Sequence, residues 1–348
     1  MRNNFDAVRL GLALTVVFCH LAVLSEVAAF QPFLRFLSAD FAVKGFFVIS
    51  GCLVTRSYLR SQSGWDYAEK RVRRIYPAYA VTIGLGWLIG MVATHLSVAN
   101  YINQPAAYKY LAANAAFLNF LQPTLPGVFE QHAVPALNAS LWTIKVELCL
   151  YCCVPLLVGL FRRIGAYPTA ILAFCVALLW EEALPHVPHI TPRMVTELAR
   201  QFPGVIHFFT LGAVFTMVEH KLGPKLGWIA LVSCVAFFLL RHHRIGSLIE
   251  PLSYASSVLF AATGLPLQIS AGRWGDLSYG TYLVHFPIIQ LFIHLGVFQW
   301  NPWLGLAALL LIILGAAFVL WHVVEKPLLK RNSHYVAAKI VNYEKGRF

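Results

Sequence analysis

A series of long apolar runs constrains this chain more than any other feature: Leu10–Leu24, Phe41–Val54, Ala166–Trp180, Trp228–Leu240 and Leu304–Trp321. A membrane-spanning helix needs about 20 mainly apolar residues, because in lipid each backbone N–H and C=O must be paired within the segment. At about 30 residues per span and loop, the 348 residues accommodate roughly ten spans. Composition agrees. Hydrophobic residues make up 59% and charged residues 12%, where a soluble domain carries roughly 25% charge. This excludes a disordered protein and argues against a soluble enzyme. The expected fold class is an all-α polytopic membrane protein, with one membrane-embedded domain over 1–330 and a short basic tail over 331–348. There is no internal repeat and no low-complexity linker.

Ten helices are expected: about Val8–Phe30, Asp40–Leu59, Ile75–Leu96, Leu141–Phe161, Ala166–Glu181, Phe202–His220, Leu226–Leu240, Ser247–Ile269, Leu277–Phe298 and Trp303–Val324. A shorter apolar stretch, Ala106–Leu121, reads as interfacial or re-entrant. The net charge of +12 has two readings, a nucleic-acid binder or a membrane protein whose basic residues face the cytoplasm. Distribution decides. With the N-terminus inside, the inner loops and termini collect 19 of the 27 basic residues, among them Arg2, Arg9, Arg56, Arg60, Lys70, Arg71, Arg73 and Arg74. The outer loops hold six: Arg35, Lys109, Arg193, Arg200, Arg241 and Arg244. Both termini are therefore expected in the cytoplasm, and no nucleic-acid partner is expected. Arg241-His242-His243-Arg244 runs against the rule and marks the least secure connection.

Seven cysteines, at 19, 52, 149, 152, 153, 175 and 234, all lie in apolar stretches. They read as free thiols packed among helices rather than a disulfide framework. Arg2 followed by an apolar run resembles a signal peptide, but the run is long, holds His20 and lacks a small-x-small site. It reads as a retained first span.

Ionisable groups within spans cost several kcal/mol unless paired or hydrated, so each is a functional candidate. Asp6, Arg9, His20, Lys44, Lys145, Glu147 and His285 stand out. Arg9 and His20 are eleven residues apart, which on a helix returns to within roughly 20° of one face and separates them by about 16 Å. Asp6 sits three residues before Arg9, at pairing distance along the helix. Depth counting puts Lys44 about 6 Å, Glu147 about 8–10 Å and His20 about 12 Å below the outer surface. A His, a carboxylate and an ammonium are thus expected in the outer half, with a basic patch at the inner mouth. Taken singly, each has a plainer reading. His20 would be an interhelical hydrogen bond, Glu147 an ion pair with Lys145 or Lys44, Arg71, Arg73 and Arg74 topology determinants, and His285 a kink residue before Pro287.

The combined pattern resembles the membrane-bound acyltransferase 3 family. Arg9 with His20 looks like its arginine–ten residues–histidine signature. Lys44-Gly45-Phe46-Phe47-Val48-Ile49-Ser50-Gly51 resembles its FFVxSG motif, and Arg71-Val72-Arg73-Arg74-Ile75-Tyr76-Pro77 its R-x-x-R-I-x-P loop. Leu141 through Glu147 is similar to its tryptophan-to-glutamate motif, Gly275 through Pro287 to its late LSYxxYLxHxP motif, and Glu325-Lys326-Pro327 to its closing E-x-P. The resemblance implies O-acyl transfer from a cytoplasmic acyl-CoA, usually acetyl-CoA, to a hydroxyl of a cell-surface polysaccharide, lipid-linked glycan or glycolipid. It implies no metal. Carried over by motif, His20 is the catalytic base. Glu147 and Lys44 join it in the active centre, and Arg9, Arg71 and Arg74 serve the donor. Asp6, Trp142, Lys145, Tyr282 and His285 are expected as substrate-side or structural support. The chain departs from some members in showing neither an aspartate near Lys44 nor a second acid beside Glu147. It also lacks a fused extracytoplasmic domain, so a separate extracytoplasmic acyltransferase is an expected partner. The alternative reading is an exporter of an anionic solute, since buried Arg, His and Glu also line transport paths.

Overall fold

The computed structural model describes residues 4–266, 269 and 271–330. The expected tail, 331–348, lies outside the described residues. The described residues are 81% helical, with no strand among them. The main helices are α1 Phe5–Ser25, α2 Ala39–Leu59, α3 Gly64–Ala93, α4 Pro105–Ala115, α5 Trp142–Ile164, α6 Ala166–Ala183, α7 Phe202–Leu222, α8 Leu226–Leu240, α9 Arg244–Thr263, α10 Leu277–His294 and α11 Pro302–Val319, which runs into a π-helical turn over Leu320–Glu325. Among the described residues, eight segments are long and apolar enough to cross a membrane. The fold class expected from the apolar runs, a multi-pass helical membrane protein, is borne out.

Two compact units make up the chain. The first gathers Met1–Leu12, Asp40–Tyr67 and Val146–Ser270, and the second Ala13–Ala39, Ala68–Lys145 and Ala271–Phe348.

In the first unit α2 and α7 approach through glycine. A Cβ on Gly51 would meet the Phe209 carbonyl, and one on Gly212 the Val48 carbonyl. Small residues let helix backbones come this close in lipid, where apolar burial gives no drive to associate. The glycine that ends the FFVxSG motif thus has a packing reason. Proline shapes α5. Pro155 lacks the N–H that would pair the Tyr151 carbonyl, and the Tyr67 hydroxyl donates to that carbonyl instead at 2.8 Å. α8 and α9 are joined by residues 241–243, so the Arg-His-His-Arg run is a tight turn plus the first residue of α9. The outer faces of α6 and α8 keep large apolar side chains uncovered, among them Ile171, Leu179, Val232 and Phe238. That is the surface a lipid-facing helix presents.

In the second unit α10 is enclosed. From Ser278 to Pro287 every residue is buried. It is not among the segments apolar enough to span, because its inward groups are polar: Ser278, Tyr279, Thr281, Tyr282, His285 and Gln290. Enclosure by protein rather than lipid removes the need for an apolar surface. The same rule of proline and donor recurs here. Pro287 cannot pair the Leu283 carbonyl, and Asn138 Nδ2 donates to it at 2.9 Å. Gln290 Nε2 donates to the Val134 and Ala136 carbonyls at 2.6 and 3.0 Å. The loop before α5 is thereby fastened along α10 by backbone carbonyls.

Two expectations are corrected. The arginines expected in a loop after the second span lie on a helix, since α3 begins at Gly64 and carries Lys70 through Pro77. Ser63 accepts from the Asp66 N–H at 3.1 Å, an N-cap. Arg73 Nε donates to Glu69 at 2.8 Å, one turn away. These local bonds extend the helix beyond its apolar stretch. The cysteines are free as expected, but they are not all packed: Cys19 and Cys52 are buried, while Cys149, Cys152 and Cys175 are exposed on the outer faces of α5 and α6.

Candidate active site

The second unit holds a buried polar constellation built on α10. Gly275 has φ +102°, a conformation that favours glycine, and a Cβ there would strike the Trp321 indole. The turn delivers Asp276 as N-cap of α10. One carboxylate oxygen accepts from the Ser278 N–H at 3.2 Å and from its hydroxyl at 2.5 Å. The other takes the Arg74 guanidinium. Arg74 also donates to Glu325 at 2.5 Å, and its guanidinium stands over the Tyr279 and Trp321 rings at 5.5 and 5.4 Å. The Tyr279 hydroxyl donates to the Ile75 carbonyl at 3.0 Å. Three of the sequence motifs, R-x-x-R, LSY and E-x-P, thus meet at one guanidinium held between two buried carboxylates. Neither Asp276 nor Glu325 was singled out by residue type, although both stand inside recognised motifs. Glu325 lies in the π-helical turn that follows α11, a local rewinding often found at functional sites.

Further along α10, His20 and His285 meet. His20 Nδ1 lies 2.8 Å from His285 Nε2, with the ring centroids 5.1 Å apart and the planes within 8° of parallel, so the rings meet edge to edge in nearly one plane. The Phe286 ring stands edge-on to His20 at 5.4 Å. His285 is fully buried, whereas His20 is half-buried. His285 Nδ1 lies 2.7 Å from the Tyr282 carbonyl. Tyr282 is itself fixed, its hydroxyl sharing a 2.7 Å hydrogen bond with Thr143 and lying 3.2 Å from the Ser140 carbonyl. His20 was expected near Glu147 and Lys44. The partner found within its own unit is His285, which the plainer sequence reading treated as a kink residue. Pro287 stands two residues after His285 on the same helix.

Arg71 is half-buried on the first turns of α3. Lys145 Nζ stands over the Phe120 ring at 4.9 Å, and Trp142 opens α5.

The first unit carries the remaining expected residues. Asp6 sits in the first turn of α1, where a carboxylate favours the helix N-terminus. Arg9 follows one turn later, and α1 runs unbroken from Phe5 to Ser25. The Glu147 carboxylate accepts from the Ser50 hydroxyl at 2.7 Å and from the Tyr151 hydroxyl. Its ion pair with Lys44, one plain sequence reading, is replaced by these hydroxyls. Lys44 instead pairs with Asp40 at 2.7 Å and Glu250 at 2.8 Å. Asp40 stands one helical turn upstream of Lys44 on the same helix.

No group of three or more His, Cys, Asp or Glu suited to a metal ion occurs among the described residues.

Membrane-crossing helices, a histidine pair and motif arginines define the class, a membrane-embedded group-transfer protein. A family model described as an acyltransferase domain matches residues 2–322, and the chain belongs to this acyltransferase 3 family. It is 29% identical over 367 residues to Nodulation protein 10 of Rhizobium leguminosarum bv. viciae, covering 97% of this chain and 96% of that protein. It is 29% identical over 342 residues to the O-acetyl transferase of Shigella phage Sf6, covering 95% and 97%. No solved structure matches the chain. The protein is therefore a multi-pass membrane O-acyltransferase, and the exporter reading is set aside.

Proposed function

We propose that this protein moves an acetyl group from cytoplasmic acetyl-CoA to a hydroxyl of a cell-surface glycan, lipid-linked glycan or glycolipid, in a bacterial inner membrane. The observation that carries the reading is His20, half-buried on α1, hydrogen-bonded to a second, fully buried histidine and standing in the family's arginine–histidine signature. Imidazole titrates near neutral pH and suits general base work on a hydroxyl. His20 takes the acceptor's hydroxyl proton as its oxygen attacks the thioester carbonyl. The O–C bond forms, the C–S bond breaks, and His20 returns the proton to the departing thiolate. The relative named an O-acetyl transferase supports the choice of acetyl.

For the donor we assign Arg71, whose guanidinium suits the phosphates of CoA. Arg74 already faces the two carboxylates of Asp276 and Glu325, so its part is to hold this end of α3 in place. Arg9, Glu147 and Lys44 belong to the other unit, and their roles rest on their motifs: Arg9 toward the donor, Glu147 and Lys44 toward the reacting groups. Where the acceptor lies beyond the membrane, a separate extracytoplasmic acyltransferase completes the transfer.

The test is transfer of labelled acetyl from acetyl-CoA into the glycan and glycolipid fractions of membranes carrying the protein. His20→Ala is expected to abolish transfer while leaving inserted, folded protein. Full transfer by that variant would remove His20 as the base.

A further inference from the structure

We propose that His285 is a positioning residue that fixes which nitrogen of His20 acts as the base. The proposal rests on the reading of His20 given above and deepens it. The Tyr282 carbonyl oxygen lies 2.7 Å from His285 Nδ1, and a carbonyl only accepts, so the proton of neutral His285 sits on Nδ1. Its Nε2 then bears a lone pair. That lone pair faces His20 Nδ1 at 2.8 Å, and two lone pairs at this distance would repel. His20 therefore carries its proton on Nδ1 and donates it to His285 Nε2. The remaining nitrogen of His20, Nε2, is left with its lone pair as base.

The surroundings hold this arrangement. His285 is fully buried, and its carbonyl acceptor belongs to Tyr282, whose hydroxyl is fastened to Thr143 and Ser140. The two imidazoles lie within 8° of parallel, so the hydrogen bond between them runs in the ring planes, and the Phe286 ring packs against His20. One backbone carbonyl thereby sets the tautomer of a ring two hydrogen bonds away. During transfer the acceptor O–H proton passes to His20 Nε2 as the O–C bond forms. The imidazolium that results is stabilised by its Nδ1–H bond to His285, and the Nε2 proton leaves with the CoA thiolate as the C–S bond breaks.

Two substitutions separate positioning from mere packing. His285→Gln keeps an acceptor oxygen near the position of Nε2, whereas His285→Leu fills the volume and removes the acceptor. With the acetyl-CoA transfer assay, His285→Leu is expected to lower kcat about 10²–10⁴-fold with the KM for acetyl-CoA unchanged, and His285→Gln is expected to recover most of the loss. A kcat for His285→Leu within threefold of wild type, or a Gln variant no better than the Leu variant with both folded, overturns the proposal. A second measurement needs no turnover. In the 15N spectrum of histidine-labelled protein in lipid, with the His20 signals assigned by difference against His20→Gln, His20 is expected to be protonated on Nδ1 in wild type and His285→Gln. It is expected to be a tautomer mixture in His285→Leu. Nε2 protonation of His20 in the wild-type protein overturns the proposal. Full activity of His20→Ala would instead overturn the function on which the proposal rests, so the two failures are distinct.

Discussion

Replacing Arg74 by methionine decides whether that residue is part of the fold or a ligand of the donor. The Arg74 side chain is 12% exposed, and the carboxylates of Asp276 and Glu325 are each 1% exposed. Methionine preserves much of the length and apolar stem of arginine but leaves two carboxylates buried without their cation. Removing one partner of a buried ion pair costs about 3–5 kcal/mol, because the remaining charge is desolvated and unanswered. With two carboxylates facing one guanidinium, that range is the lower bound here. On the scale of soluble domains of roughly 150–250 residues, where 1 kcal/mol moves Tm by about 2–4 °C, the expected fall is about 6–20 °C. The assay is thermal unfolding of the purified protein in detergent, followed by intrinsic tryptophan fluorescence; Trp321, which stands against Arg74, is one reporter. The triple variant Arg74→Met, Asp276→Asn, Glu325→Gln removes the uncompensated charge and is expected to regain most of the loss. Arg71→Met, by contrast, is expected to act on donor binding. It removes one charge-assisted hydrogen bond to the donor, about 1.5–3 kcal/mol, and so raises the KM for acetyl-CoA about 10–150-fold. An Arg74→Met protein as stable as wild type but with a raised donor KM would refute this division of labour between the two arginines.

Three further outcomes follow from the same geometry. Asn138→Ala strands the buried Leu283 carbonyl and is expected to cost about 1–3 kcal/mol in detergent unfolding; adding Pro287→Ala supplies a helical N–H for that carbonyl and should return part of it in a double-mutant cycle. Tyr67→Phe leaves the Tyr151 carbonyl without its hydroxyl donor and is expected to destabilise by a similar amount, with Pro155→Ala as its compensating partner. Gly51→Ala drives a methyl group into the Phe209 carbonyl and is expected to prevent accumulation of monodisperse protein, read by size-exclusion chromatography; a well-folded Gly51→Ala protein would show that α2 and α7 separate without cost.

The apolar runs made the helical membrane fold legible because a bilayer leaves few alternatives: only paired backbone crosses it. The same logic finds α10, within the expected Leu277–Phe298, but not its setting. Its polar residues lower its hydropathy below that of a lipid-facing span, and only the structure shows them enclosed. Charge was legible in type and not in partner. Arg74 was recognised from its motif, but its carboxylates stand 202 and 251 residues further along the chain, beyond the reach of any helical spacing rule. His20 and His285, separated by 265 residues, were each found as an ionisable group in an apolar setting, yet nothing in their spacing joined them. Lys44 differs, since one of its partners, Asp40, is only one helical turn away and its other, Glu250, is distant in sequence. The prolines were an unused signal. Each proline inside a helix leaves the carbonyl four residues earlier without its N–H, and at Pro155 and Pro287 a tyrosine hydroxyl and an asparagine amide fill that role. Read this way, the Pro287 of the late motif asks for a donor near Leu283, and finding Asn138 there brings the loop before α5 onto the helix that carries His285. The proline read as a kink is thus one of the residues that locate the histidine pair.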